Sequence, residues 1–255
     1  MMAFIPLSVI IIARNEEKNI GRAIGSALNI TDDIIVVDSG STDNTRQIAQ
    51  NLGAQVIAQD WAGYSKQKNI GNARAKYKYV FSLDADEEIS ESLQNELLDL
   101  LKQENLKTAY RINRLNHFAQ KSIMHGAWYP DWHYRLFDKN IIHWIETDLV
   151  HESLNMDEKT STENLKGNIL HYTTETEDWY LEKMDKYARL WAKKMLVERK
   201  QSGALKAYSS ACFRFMREYF FQAGFLDGKA GFLIARAHYI YTLKKYLYLK
   251  TGSKN

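Results

Sequence analysis

Asp84 and Asp86 are two carboxylates separated by one residue, and they follow directly after the apolar run at 79–83. Carboxylates at this spacing beyond a buried strand can hold a hard divalent cation, whose other positions are filled by water and phosphate oxygens. A further aspartate, Asp38, follows another apolar run at 33–37. The alternative is that these acidic side chains only cap the helices that come next. The chemistry therefore depends on whether the fold brings the acidic positions together.

Strands alternate with helices over the first hundred residues. Apolar, β-branched runs predict strands at 8–13, 33–38, 54–58 and 79–83. Helical spacing and capping residues predict helices at about 17–28, 43–51, 64–76 and 91–104. This alternation is typical of right-handed βαβ units in an open parallel sheet, and such sheets bind ligands at the carboxyl ends of their strands. We therefore predict an α/β fold with a mostly parallel central sheet flanked by helices, and with the aspartates at one edge.

The pattern changes twice further along the chain. Short strand-like runs rich in His, Trp and Tyr lie near 108–114, 121–127, 133–137 and 141–150. From about residue 176 onward the spacing predicts helices at roughly 177–200, 204–222 and 227–249. We therefore predict a domain over residues 1–175 and a C-terminal helical, basic and aromatic extension over residues 176–255.

The composition excludes several classes of protein. The chain has 255 residues, 45% hydrophobic and 25% charged, which indicates one large globular domain with or without an appendage. Its single cysteine, Cys212, cannot form an internal disulfide, and no Cys/His pairing suggests a structural zinc site. No apolar run has the length or flanks of a transmembrane helix or signal peptide, so we expect a cytoplasmic protein. The GxGxxG motif of dinucleotide-binding oxidoreductases does not follow the first strand.

Four segments occur in the order and at the spacing of a known family: 8–17 (SVIIIARNEE), 36–43 (VVDSGSTD), 66–69 (KQKN) and 82–87 (SLDADE). Together they resemble the nucleotide-sugar half of a family-two, GT-A-fold glycosyltransferase. Segments 126–137 (GAWYPDWHYRLF) and 150–152 (VHE) are similar to the subgroup that includes lipopolysaccharide core β-1,4-glucosyltransferases.

The resemblance implies an inverting, metal-dependent hexosyltransferase. It would move a hexose, glucose in that subgroup, from a UDP-sugar to a saccharide acceptor such as a lipopolysaccharide core or another glycolipid. The cofactor implied is Mg²⁺ or Mn²⁺. Residues 1–105 would form the nucleotide-binding half of the domain, and residues 106–175 the acceptor-side half.

The resemblance also assigns roles to residues of the nucleotide half. Asp38 would accept a hydrogen bond from the nucleotide base, and Asp86 would bind the Mg²⁺ or Mn²⁺ that bridges the diphosphate. Near the base, the ribose and the phosphates would lie Ala13, Arg14, Glu16, Lys68 and Asp84. The residues alone leave two alternatives open: Glu16 only caps a helix, and Lys68 is a solvated helix residue.

Inverting transfer needs a base that removes the proton of the acceptor hydroxyl, and this base must come from the second half of the domain. Asp131 is the leading prediction because its Pro-Asp-Trp-x-x-Arg context resembles the acidic residue followed by Arg in this family, although Pro-Asp is also a turn dipeptide. Glu152 is the second candidate base. Arg135 is expected to meet the diphosphate, or else to pair with a surface carboxylate. His151 is expected to be a late metal ligand, or else a structural histidine.

The charge of the chain is unevenly distributed. Residues 201–255 hold nine Lys/Arg against two Asp/Glu, whereas residues 1–200 hold 25 against 29. Because aromatic residues are interleaved with these basic ones, the extension predicts peripheral contact with an anionic membrane, at the inner face of the cytoplasmic membrane where a glycolipid acceptor resides. Ordinary helix packing and a homo-oligomer contact are the alternatives, and no nucleic-acid partner is expected.

Two other functional classes use similar residues. A non-catalytic nucleotide-sugar-binding module would keep the fold without needing Asp86 or Asp131. A metal-dependent phosphatase of the haloacid dehalogenase type has Asp-x-Asp on its first catalytic strand, whereas the first strand here ends in Ala13 and is followed by Arg14 and Asn15.

Overall fold

A mixed sheet of nine strands organises the residues that this computed structural model describes, which are 6–146, 152–174 and 176–252. The strands are β1 (Leu7–Ala13), β2 (Asp33–Asp38), β3 (Gln55–Ala58), β4 (Tyr79–Asp84), β5 (Glu87–Ile89), β6 (Ala109–Phe118), β7 (Lys121–Ser122), β8 (Trp132–Asp138) and β9 (Thr162–Thr174). The helices are α1 (Ile20–Leu28), α2 (Thr45–Asn51), α3 (Tyr64–Arg74), α4 (Glu91–Leu100), α5 (Glu177–Val197), α6 (Ala204–Met216) and α7 (Gly228–Gly252).

The strand order is β3-β2-β1-β4-β8-β6-β9-β5, and β7 pairs with β6. The first four of these neighbours are parallel, and β8 then runs antiparallel to both β4 and β6. The Val/Ile runs of β1 and β2 are buried almost throughout, as expected for strands covered on both faces. In register, Ala13 lies beside Asp38 and Ile12 lies beside Asp84. The prediction that the acidic strand ends share one edge of the sheet is therefore confirmed.

Two strands, β5 and β9, were not predicted from the sequence. β5 comprises two glutamates and an isoleucine that follow Asp86. It pairs antiparallel with β9, so that Glu87 lies opposite His171. Conversely, two predicted strands are shorter or absent. The run at 121–127 contributes only β7 before a 3₁₀ turn at Gly126–Trp128, because the N–H of Gly126 is donated to the carbonyl of Gln222 and not to a strand. In the run at 141–150, of which the structure describes residues 141–146, Trp144 forms one isolated bridge with Leu154.

The chain divides into two compact units. The first comprises Met1–Arg114 with Trp132–His171, and the second comprises Leu115–Asp131 with Tyr172–Asn255. The second unit begins at Tyr172, where the predicted helical extension begins at residue 176, and it also contains the segment Leu115–Asp131.

That segment belongs with the C-terminal helices for two physical reasons. Phe118 and Ile123 share a hydrophobic cluster with Tyr180 and Ile234. The buried carboxylate of Asp227 accepts hydrogen bonds from the backbone N–H groups of residues 124 and 125, at 3.3 and 2.8 Å. Among the described residues, no helix combines the length and apolar character needed to cross a membrane.

Gly167 allows α4 to lie directly against β9. A Cβ atom at this position would stand 2.5 Å from the Cα of Leu93, and the N–H of Gly167 is donated to the Glu96 carboxylate at 2.8 Å. We expect Gly167→Ala to lower the free energy of unfolding by about 1–3 kcal/mol, the usual cost of overpacking. Gly25→Ala in α1 is the matched control, since a Cβ there meets nothing within 4 Å. Urea unfolding measures both, and equal midpoints for the two variants would contradict the prediction.

Candidate functional site

A cavity of about 680 Å³ lies in the first unit at the carboxyl ends of β1 and β4. We call it the first cavity. Its lining residues are Ile12, Ala13, Arg14, Glu16, Ser39, Trp61, Tyr64, Asp84, Ala85, Asp86, Glu152 and His171. The sheet therefore gathers six of the predicted site residues around one space. Trp61 and Tyr64, which form part of the wall, contact each other edge to face with ring centroids 4.7 Å apart.

A second cavity of about 640 Å³ shares Tyr64, Asp84 and Glu152 with the first. Its other lining residues are Arg114, Trp132, His133, Tyr134, Arg135, Trp144, Ser153, Leu154 and Met156. Aromatic faces of this kind suit the apolar faces of sugar rings. Two adjoining spaces, one acidic and one aromatic, therefore meet at the carboxylates of Asp84 and Glu152.

Lys68 of α3 links these two carboxylates. Its Nζ lies 3.1 Å from Asp84 Oδ1 and 2.5 Å from Glu152 Oε2, and it also lies 4.8 Å from the centroid of the Trp144 ring. The side chain is buried, so the solvated position that the sequence left open for Lys68 is wrong. A buried ammonium is tolerated here because two carboxylates and an aromatic face replace its water.

Arg135 of β8 pairs with the Asp84 carboxylate oxygen that Lys68 does not contact. Its Nη2 donates to Asp84 Oδ2 at 3.0 Å and to Glu87 Oε1 at 2.5 Å, and the guanidinium is buried. Burial alone would raise the pKa of Asp84, but Arg135 and Lys68 outweigh it and hold that pKa well below its ordinary value. Burial raises the pKa of Glu87, an effect that Arg135 partly offsets. The sequence offered a surface carboxylate as the alternative partner of Arg135, whereas Glu87 is fully buried; the contact of Arg135 with a diphosphate stays a prediction.

Asp86 lies beside a histidine that the sequence did not suggest. Its Oδ2 is 3.2 Å from His171 Nε2, and both side chains line the first cavity. The β5–β9 pairing creates this contact between residues 85 positions apart, so no local spacing could have indicated it. His151, the predicted late metal ligand, lies outside the described residues.

The Asp86–His171 pair fits a divalent cation in its donor types, since carboxylate oxygen and imidazole nitrogen both bind Mn²⁺, and Mg²⁺ accepts the carboxylate. Among the described residues, no three His, Cys, Asp or Glu side chains form a complete metal site. A cation here would therefore take its remaining ligands from water and from a bound phosphate.

Asp38, at the carboxyl end of β2, is bonded to the loop that follows it. Its carboxylate is fully buried and accepts from the N–H groups of Gly40 and Ser41, at 3.1 and 3.0 Å, and also from Ser41 Oγ and Arg46 Nε. Burial alone would raise the pKa of Asp38, but the bonds from Ser41 and Arg46 outweigh it and lower that pKa. Asp38 thus orders the loop containing Ser39, which lines the first cavity, while its contact with a base stays a prediction.

Glu16 accepts a hydrogen bond from Asn19 Nδ2 at 2.8 Å through its side chain, and its backbone carbonyl accepts from Ile20 at the start of α1. Burial raises the pKa of Glu16, the Asn19 bond lowers it in part, and the nearby charge of Asp86 raises it further. The residue therefore contributes both to the helix start and to the acidity of the first cavity.

Asp131 lies in the second unit, where its carboxylate accepts from Asn116 Nδ2 at 3.4 Å. It lines neither of the two cavities, whereas the next residue, Trp132, lines the second one. Glu152, in contrast, lines both cavities and is held by Lys68.

Residues 8–156, more than half of the chain, match the family model described as glycosyl transferase family 2. The chain belongs to glycosyl transferase family 2. The match covers β1 through β8 and includes every predicted donor residue, and it excludes the phosphatase alternative. This family 2 glycosyltransferase has the GT-A fold, as predicted, with strands β3-β2-β1-β4 forming the parallel part of the sheet.

Curated relatives extend over most of the family 2 glycosyltransferase. An uncharacterized glycosyltransferase of Rickettsia typhi is 32% identical over 237 residues, which cover 89% of this chain and 80% of the relative. The lipopolysaccharide core biosynthesis glycosyltransferase LpsC of Rhizobium meliloti is 26% identical over 246 residues, covering 94% of this chain and 90% of LpsC. The predicted resemblance to lipopolysaccharide core glycosyltransferases is therefore confirmed at the level of sequence.

Solved structures also resemble the enzyme. TarS 1–349 of S. aureus is 18% identical, and the match covers 97% of this chain and 90% of the TarS chain with a TM-score of 0.48. Glucosyl-3-phosphoglycerate synthase of Mycobacterium tuberculosis, solved with Mn²⁺ and UDP-glucose, is 24% identical over 44% of each chain with a TM-score of 0.36.

Proposed function

We propose that this family 2 glycosyltransferase transfers a hexose, specifically glucose, from a UDP-sugar to a saccharide acceptor in a lipopolysaccharide core or another glycolipid, with inversion at the anomeric carbon. The observation that carries the proposal is the meeting of two cavities at Asp84 and Glu152. The first gathers five of the residues that family resemblance assigns to the donor and its metal, and the second offers tryptophan and tyrosine faces suited to an acceptor sugar. The relationship to LpsC supports the acceptor class.

In this proposal Mg²⁺ or Mn²⁺ is held by Asp86 and His171, with His151 as a further candidate outside the described residues. When bound, the cation neutralises the charge that develops on the departing diphosphate. Asp84 is not free for a second carboxylate contact, because Lys68 and Arg135 already share it. In this proposal Asp84 holds the side chains of Lys68 and Arg135 beside the donor. Ala13, Arg14 and Glu16 bound the space for the nucleotide.

The transfer itself requires one proton to leave the acceptor. The acceptor oxygen forms a bond to the anomeric carbon, the bond from that carbon to the diphosphate oxygen breaks, and a carboxylate takes the hydroxyl proton. We assign this base to Asp131, since its Pro-Asp-Trp-x-x-Arg context resembles the acidic residue followed by Arg in this family. Glu152 is the second candidate. Its carboxylate already has the Lys68 ammonium as a partner at 2.5 Å.

A glycolipid acceptor and a nucleotide-sugar donor meet at the inner face of the cytoplasmic membrane. We therefore propose a cytoplasmic enzyme that works at this surface.

Thermal melting with and without metal tests the proposed function. We expect UDP-glucose to raise the melting temperature in Mg²⁺ or Mn²⁺ but not in EDTA, since a ligand at 100 times its Kd stabilises the folded state by about 2.7 kcal/mol. GDP-mannose serves as the mismatched donor. Release of UDP in the presence of an oligosaccharide acceptor then separates an enzyme from a non-catalytic binding module. Absence of stabilisation by every UDP-sugar, or equal stabilisation in EDTA, would contradict the proposal.

A further inference from the structure

The second unit exposes a cluster of aromatic side chains where α6 ends and α7 begins. Rings of five residues contact one another with centroids 5.1–6.4 Å apart: Phe215, Tyr219, Phe220, Phe225 and Phe232. Two further apolar side chains adjoin them in the chain and are more exposed, Phe221 at 79% and Leu226 at 59%. We call these seven residues the aromatic patch.

The aromatic patch is distinct from the core of its unit. That core contains Phe118, Ile123, Tyr180 and Ile234 and is buried without help from the patch. Beside the patch, an apolar groove of about 330 Å³ runs between α6 and α7, lined by Cys212, Phe215, Met216, Phe232, Arg236 and Tyr239. Monomeric proteins rarely expose contiguous apolar surface of this extent unless it contacts a partner or a membrane.

The segment that carries the aromatic patch exposes charges of one sign, and at the neighbouring groove Arg236 pairs with Glu177 of α5 at 2.8 Å. Within the described residues 201–252, Glu218 and Asp227 are the two carboxylates, and both are buried. Glu218 accepts from His238 Nδ1 at 2.6 Å and from Arg214 Nε at 2.7 Å, while Asp227 accepts from backbone N–H groups of the segment 115–131. Burial alone would raise the pKa of Glu218, but these partners outweigh it and keep that pKa below its ordinary value.

The exposed charges that this segment places next to the patch are therefore basic. Arg217 lies in the chain between the patch residues Phe215 and Tyr219, and Lys229 lies one helical turn before Phe232 in α7. Arg217 contacts Glu218 at 3.5 Å, but its side chain is 49% exposed and can still meet a second anion. A second copy of this chain docking patch to patch would bring Arg217 and Lys229 together with their counterparts, which opposes self-association, whereas an anionic surface attracts them.

We propose that the aromatic patch docks this protein on an anionic lipid bilayer, with the Phe and Leu side chains entering the boundary between headgroups and acyl chains and the flanking Arg and Lys contacting lipid phosphates. Aromatic and leucine side chains flanked by basic residues have this role in interfacial helices. This inference concerns the second unit alone and does not depend on the proposed reaction.

Vesicle co-sedimentation of the full-length protein, without nucleotide or metal, tests the proposal. The probes are vesicles of phosphatidylglycerol with phosphatidylcholine, and vesicles of phosphatidylcholine alone. We expect binding to the anionic vesicles, weakened as salt rises from about 0.1 M to about 1 M because screening shortens the reach of surface charges. We expect Phe221→Ser/Leu226→Ser to weaken that binding by at least about tenfold, since two buried apolar side chains are lost.

Two variants make the test specific. Val197→Ser/Leu205→Ser removes two apolar side chains that are 81% and 85% exposed but lie outside the aromatic patch, and it should bind like the unchanged protein. Arg217→Gln/Lys229→Gln should weaken binding to anionic vesicles by about fivefold per removed charge and leave binding to neutral vesicles unaltered. Circular dichroism confirms that each variant is folded.

Three results would overturn the proposal: no binding of the unchanged protein to anionic vesicles, equal losses in the patch and control variants, or a lipid-free dimer that the patch variant dissociates. The last result would make the patch an interface between copies of this chain.

Discussion

Asp131→Asn is expected to transfer sugar about 10²- to 10⁴-fold more slowly than the unchanged enzyme, with little change in UDP-sugar affinity. Asparagine keeps the size and hydrogen-bonding reach of the side chain, including the contact with Asn116, but it cannot accept the proton of the acceptor hydroxyl. Donor affinity should hold because the base acts on the acceptor. Initial transfer rates and calorimetric UDP-sugar affinity, measured on the same preparation, provide the comparison.

Glu152→Gln is the matched variant for this experiment. It should keep measurable transfer, and its main effect should be on the pairing of Lys68, whose Nζ then retains only Asp84 as an anionic partner. Near-normal transfer by Asp131→Asn together with loss in Glu152→Gln would move the base to Glu152. Loss of donor binding in Asp131→Asn would reassign Asp131 to the donor site.

Asp86→Asn and His171→Ala are each expected to lower the metal-dependent part of UDP affinity and the transfer rate by more than about 100-fold. Loss of an indirect partner of a metal site typically costs 10- to 100-fold, so loss of a direct ligand should cost more. In EDTA the two variants and the unchanged protein should bind UDP alike, because the remaining contacts are the same. Calorimetric titration of UDP with and without Mn²⁺ measures both quantities.

His143→Ala is the control for the metal experiment. His143 is exposed and lines neither cavity, so its replacement should leave the metal dependence intact. Unchanged metal-dependent affinity in His171→Ala, with loss in Asp86→Asn, would show that His171 only orients Asp86. Unchanged metal-dependent UDP affinity in both variants would contradict a metal site at Asp86 and His171.

The parallel half of the fold could be predicted from local sequence because β1, β2 and β4 are apolar runs that end at polar motifs. These strands and their shared edge followed from those runs. The places of Ala13 and Arg14 in the cavity were implied by the family resemblance and not by the runs. An apolar run reports burial within one element, so it can be recognised without knowing which strand lies beside it.

What could not be predicted depends on pairings between distant residues. The acidic residues of β5 have the composition of a helix start, and only their pairing with β9 makes them a strand and brings His171 to Asp86. The burial of Lys68 was hidden for the same reason, since its partner Glu152 lies 84 residues away. A lysine in a helical pattern is usually solvated, and nothing local indicates that two carboxylates replace its water.

The linked ion pairs beside the first cavity have a consequence for how a charged ligand is attracted. Glu152, Lys68, Asp84, Arg135 and Glu87 alternate in sign, and Arg114, 3.7 Å from Glu87, brings the group to electrical neutrality. A neutral row of alternating charges has a field that decays over a short distance, so it offers little long-range attraction to a free diphosphate. Under the proposed function, the nucleotide sugar would gain from arriving with its own divalent counter-ion as an electrically neutral complex, and its capture would depend on close fit more than on ionic strength.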